Sequence, residues 1–99
     1  MSITKEIIKK VAEDTGITVD ELTISGFLAL LREKRRKVML DRLDVLARYN
    51  VTTGEEIEKK IKTGEIPEHP AWEDLILLEN LESSIARIDE DIETIQKSS

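Results

Sequence analysis

The last third of the chain carries six aliphatic residues in a fixed rhythm. Leu78, Leu81, Ile85, Ile88, Ile92 and Ile95 are spaced 3, 4, 3, 4 and 3. Alternating steps of three and four place all of them on one stripe of an α-helix, over nearly three heptads. A helix over 71–97 is about 40 Å long at 1.5 Å per residue. Upstream, Trp72, Leu75, Ile76 and Leu77 widen the stripe, and Trp72 reads as a core anchor at the helix start. Such a stripe has to be covered. Three surfaces can do so: a long helix of the same chain, a second copy of the chain, or a different protein. Isoleucine at successive seam positions favours more than one helix pair at the contact, as a helical-bundle dimer would supply. Trp72, Leu78, Leu81, Ile85, Ile88, Ile92 and Ile95 are therefore the candidate partner or oligomer interface.

The rest of the chain reads as helices with well-marked ends. Ile3, Ile7, Ile8 and Val11 mark one face of a first helix, and Gly16 sits where a left-handed cap closes one. Thr18 with Glu21 three residues on has the spacing of a capping box, and Ile17 with Leu22 that of a hydrophobic staple. Leu28, Leu31, Val38, Met39, Leu43, Leu46 and Tyr49 then recur at helical steps. The Ser25-Gly26 pair predicts a break, because Gly costs about 1 kcal/mol relative to Ala inside a helix. A short helix over 19–24 and a long one over 26–49 follow. Thr53 with Glu56 is a second capping-box spacing, and Gly64 a second stop, so a short helix spans 53–63 with Ile57 and Ile61 as its apolar pair. Pro67 and Pro70 enforce an extended connector, and Pro70 suits the first position of the last helix. No alternating β-branched run competes. The expected fold is all-α: one helical domain over 1–99, a hairpin or bundle with elements at 1–25, 26–49, 53–63 and 71–97. It contains a long central helix and a long heptad-patterned C-terminal helix.

Charge divides the chain. Its net charge is -6, yet residues 1–50 hold 10 Lys/Arg against 8 Asp/Glu while residues 51–99 hold 5 against 13. The acidic half repels nucleic acid, since each phosphate contact needs a cation. It suits a basic protein or a basic patch of its own chain. Phosphate contact, if any, falls to Arg32, Lys34, Arg35, Arg36 and Lys37, five cations within six positions. The alternative use for that run is to be neutralised by the acidic C-terminal helix lying antiparallel beside it. No apolar run approaches the ~18–20 residues of a membrane span, and residues 1–10 hold no signal-peptide core, so a cytoplasmic chain without a membrane partner is expected.

Chemistry has few carriers. There is no Cys, which excludes thiol catalysis and thiolate metal sites, and His69 stands alone between two prolines. Carboxylate pairs such as Glu55/Glu56 and Glu73/Asp74 read as a solvated face. Asp89 and Glu93 share a helix face but lack a third ligand. The four glycines punctuate helix ends and form no phosphate loop. A non-enzymatic chain with no cofactor and no metal is expected.

Two resemblances bear on function. Val11, Ala12, Gly16, Ile17 and Leu22 are spaced like the core of a DNA-binding helix-turn-helix, which makes a small DNA-binding protein the alternative reading. Asp20 and Glu21 would then face the groove and repel phosphate. In the second half, Tyr49-Asn50-Val51-Thr52, Glu55-Glu56, the run Gly64-Glu65-Ile66-Pro67-Glu68-His69-Pro70 and Trp72-Glu73-Asp74 form an ordered series. This series resembles small helical proteins of archaea, some regarded as antitoxins of toxin–antitoxin pairs, over about residues 40–97. The resemblance implies a protein–protein interaction module that wraps a basic ribonuclease with its acidic tail, with the seam from Leu78 to Ile95 inserted into a groove of that partner.

Overall fold

The computed structural model describes residues 3–98. It contains four α-helices and, among the described residues, no strand. Helix α1 spans Lys5–Thr15, α2 Val19–Arg48, α3 Gly54–Lys62 and α4 Glu68–Ser98.

The helix ends follow side-chain chemistry. Thr4 caps α1 by accepting from the Ile7 N–H, and Gly16 closes it at φ 73°, where a Cβ is costly. The capping box at α2 is complete: the Glu21 N–H donates to Thr18 Oγ1 at 3.0 Å, and the Thr18 N–H donates to the Glu21 carboxylate at 3.4 Å. At α3 only half of that arrangement forms. Thr53 accepts from the Glu56 N–H, but the Glu56 carboxylate accepts from the N–H and hydroxyl of Thr52 instead of Thr53. His69 has non-helical backbone angles, so the regular part of α4 begins at Pro70, after a cis His69–Pro70 bond.

One expectation fails. Ser25-Gly26 does not interrupt the chain, and α2 is a single helix of 30 residues. The penalty of one glycine, about 1 kcal/mol, is small beside the packing gained on either side of it. Leu22, Ile24 and Leu28 all stay half-buried because the helix runs on.

Helices α2 and α4 form an antiparallel pair. The cross-links run in opposite orders along the two helices: Arg35 to Asp89, Arg42 to Glu82 and Arg48 to Asp74. Helix α3 packs against α4 at the closed end of this hairpin. There the core gathers: Val45, Leu46, Val51, Ile57, Ile61, Ala71, Leu75 and Leu78, flanked by Tyr49, Ile66, Trp72 and Leu81. Ile57 and Leu78 are completely buried, each contributing roughly 1.5–3 kcal/mol by leaving water. At the open end α1 packs against the first turns of α2. The molecule is a rod of 62 × 29 × 18 Å with a radius of gyration of 19.8 Å, against about 13 Å for a compact domain of this length.

Candidate protein-interaction surfaces

The seam residues of α4 lie along α2 of the same chain. Leu78 and Ile88 are buried, and Leu81, Ile85, Ile92 and Ile95 are half-buried. Trp72 is half-buried against the core at the closed end. The stripe is thus covered within the chain for most of its length, and the half-burial of its outer members reflects a two-helix contact without a third helix over them. The extra width read from Trp72, Leu75, Ile76 and Leu77 is only partly used: Leu75 is buried, while Ile76 and Leu77 are exposed.

The basic run is partly neutralised internally. Arg35 donates to both oxygens of Asp89, from Nε at 2.6 Å, and its guanidinium holds the Asp89 carboxyl below its usual range. Arg36 donates to Glu33 one turn back and lowers that carboxyl in the same way. Arg32, Lys34 and Lys37 make no ion pair among the described residues. Of the five cations, Arg35 and Arg36 thus carry carboxylate partners, and Arg32, Lys34 and Lys37 are exposed. Arg32, Arg35, Arg36, Met39 and Leu40 line a shallow groove of about 380 Å³.

The α3–α4 side is anionic. The inward carboxylates Asp74, Glu82 and Asp89 meet Arg48, Arg42 and Arg35. Glu55, Glu65, Glu79, Glu90 and Asp91 form no ion pair among the described residues and are exposed. At the closed end, the Tyr49 hydroxyl donates to Asp74, which also accepts from Arg48. Burial, and secondarily the Asp74 carboxylate, push the Tyr49 phenol up to about 12. Lys60 Nζ donates to the Tyr49 carbonyl at 3.2 Å, tying α3 to the end of α2. This cluster ties the end of α2 to both α3 and α4.

His69 is exposed and bonds Glu73 through Nδ1 at 2.6 Å. The Glu73 carboxyl is held low first by its own backbone N–H and then by His69. Among the described residues no cluster of three or more His, Asp or Glu is placed to hold a metal ion. Among the described residues no helix is long and apolar enough to cross a membrane.

A further surface was not singled out from the sequence. Ile3, Ile7, Ile8 and Val11 from α1 and its entry, with Leu22, Thr23, Gly26 and Phe27 from α2, line a groove of about 440 Å³ at the open end of the rod. Ile3 is 72% exposed, Phe27 53% and the neighbouring Leu30 66%. The signal was present in Phe27-Leu28-Ala29-Leu30-Leu31, five apolar residues in succession. A run that is apolar all round a helix needs cover on more than one side.

The turn between α1 and α2 keeps the geometry that suggested a helix-turn-helix. Ala12 is buried, Gly16 is left-handed, and Ile17 and Leu22 are half-buried, but Val11, the fifth of the core positions read from the sequence, is exposed. The outward residues that open α2 are Val19, Asp20, Glu21 and Thr23, all exposed, so this element offers carboxylates where a phosphate backbone needs cations.

Comparison with known proteins places the chain in a family without assigning a chemistry. No solved structure matches it. A protein of Methanocaldococcus jannaschii named "Uncharacterized protein MJ0235" is 30% identical over 70 residues, covering 71% of this chain and 85% of that protein. The match supports a small helical family with an archaeal relative and carries no statement about antitoxins. The model described as "Uncharacterized protein MJ0235 family" matches residues 1–99, and the chain is therefore a member of the MJ0235 family.

Proposed function

We propose that the protein is a non-enzymatic protein–protein interaction module, antitoxin-like in kind, that engages a basic protein through the anionic side formed by α3 and α4. The observation that carries this reading is the division of the carboxylates. The chain's own arginines neutralise the inward set, Asp74, Glu82 and Asp89. The outward set, including Glu79, Glu90 and Asp91, has no ion pair among the described residues. A half carrying 13 acids against 5 bases attracts a cationic surface and sets partner choice and association rate more than raw affinity. With the seam packed against α2, a partner meets charge and helix exteriors here, not an inserted isoleucine stripe. The mode of contact thus differs from the insertion that the antitoxin resemblance implies.

The test is capture from nuclease-treated extract with the tagged full-length chain, run in parallel with Glu90→Lys/Asp91→Lys. The expected result is a stoichiometric basic protein that is retained at low salt, released as salt is raised and absent from the charge-reversed bait. If the purified partner cleaves RNA, adding the wild-type chain should suppress that cleavage. Capture that is indifferent to charge reversal and to salt would remove the basis of the proposal. The alternative, DNA binding through α1 and α2, is disfavoured by the exposed Asp20 and Glu21 at the head of α2.

A further inference from the structure

Helix α2 carries a groove that combines guanidinium groups with an apolar strip. Arg32, Arg35, Arg36, Met39 and Leu40 line it. Arg32, Arg36 and Leu40 stand four residues apart, so they form one ridge along the helix with about 6 Å of rise between successive members. Arg35, Met39 and Leu43 form the adjoining ridge at the same spacing. Leu40 and Leu43 are exposed, and Met39 is half-buried.

The molecule already shows what these arginines take. Arg35 donates from Nε and Nη2 to the two oxygens of Asp89, and Arg36 from Nε and Nη2 to the two oxygens of Glu33. The planar fork of arginine fits a carboxylate in this two-pronged way, where lysine offers a point charge. Arg32 completes the row and makes no ion pair among the described residues. The two existing pairs are solvent-accessible. Pairs of that kind hold weakly, so an incoming carboxylate can take the place of Glu33 or Asp89 at little loss.

The apolar strip decides between the anionic partners that such a row could meet. A phosphate backbone makes no use of Met39, Leu40 and Leu43, and it would be repelled by Glu33 and Asp89, which touch the lining arginines. Lys34 and Lys37 do not line the groove, so the cations of the run are not gathered there for a nucleic acid. A protein segment with carboxylates and one large apolar side chain uses both kinds of lining. The flexible thioether of Met39 adapts to such a side chain. A helical partner whose own ridge repeats every four residues has the matching spacing.

We infer that this face of α2 docks an acidic amphipathic helix of another protein, whose carboxylates pair with Arg32 and Arg36 and whose apolar side chain lies on Met39 and Leu40. The inference does not rest on the basic-partner reading, because it uses α2 and a partner of the opposite charge.

Fluorescence anisotropy with the full chain tests it. The probe is a labelled helical peptide with Glu at positions i and i+4 and Leu at i+8 on an Ala/Gln background. The expected result at low salt is saturable binding with a Kd of about 100 µM or tighter, weakening as salt is raised. Arg32→Glu should weaken it about tenfold or more, and Leu40→Ser about fivefold or more. Both residues are exposed, so helical circular dichroism should be unchanged in either variant. Replacing both Glu of the peptide by Gln should abolish the saturable signal while leaving the protein untouched. Absence of saturable binding to the wild type overturns the inference. Binding that is indifferent to Arg32→Glu or to Leu40→Ser overturns it too, by placing the peptide elsewhere or by reducing the contact to charge alone. Duplex DNA that binds more tightly than the peptide would overturn it by assigning the arginines to phosphate.

Discussion

At the scale of single residues, the closed end depends on a few groups with no substitutes. Ile57 is completely buried and joins α3 to the core. Ile57→Ala should cost about 3 kcal/mol, read as a lowered urea midpoint, a large share of the roughly 5–15 kcal/mol that holds a typical domain together. Tyr49 is a subtler case. Its hydroxyl donates to Asp74, and Tyr49→Phe removes that donor, so stability at neutral pH should fall by about 1 kcal/mol. The phenol moves from an ordinary 10.0 to about 12 in the folded chain. A pKa raised by folding gives stability that is complete below the unfolded value and is lost as pH climbs towards the folded one. The gap in urea midpoint between wild type and Tyr49→Phe should therefore close between pH 10 and about 12. A gap that persists across that window would show that the hydroxyl is not held in the folded state as described.

At the scale of elements, much was written locally and some was not. The caps at Thr18 and Thr53 and the left-handed stops at Gly16 and Gly64 were legible because each depends on residues three or four apart. The seam from Leu78 to Ile95 was legible as a stripe for the same reason. What covers it was not legible, since the choice between α2, a second copy and another protein is decided by long-range packing. The continuity of α2 through Gly26 was misread because a local glycine penalty was weighed without the tertiary contacts on either side of it. The groove at Ile7, Val11 and Phe27 was missed because periodicity names the apolar face of one helix, whereas a groove needs two. The candidate cations Arg32 to Lys37 were visible as a run, but the sequence alone cannot divide Arg35 and Arg36, with carboxylate partners, from the others. Gly26→Ala tests the element directly: with open space around its Cβ, it should stabilise α2 by up to about 1 kcal/mol in a thermal melt.

At the scale of the whole molecule, the 62 Å rod is packed unevenly. Eight buried apolar residues gather around α3, and α1 rests on the first turns of α2 with Ala12 as its buried residue. Local stability follows buried contact, so amide exchange should be slowest around Val45, Leu46 and Leu75 to Leu78 and fastest in α1. Hydrogen exchange followed by mass spectrometry at several protein concentrations would report this gradient. Uniform protection along the rod would contradict the packing described.

The antiparallel course of α2 and α4 brings Ser98 beside Ile24, at the end of the rod away from the α3 core. A load applied between those two positions meets the helix pair one layer at a time, as in opening a zipper, and not all at once, as in shearing it. Stretched this way in an optical trap, the α2–α4 arm should peel apart gradually at low force. An abrupt step should follow only when the peeling reaches Leu78 and Ile57.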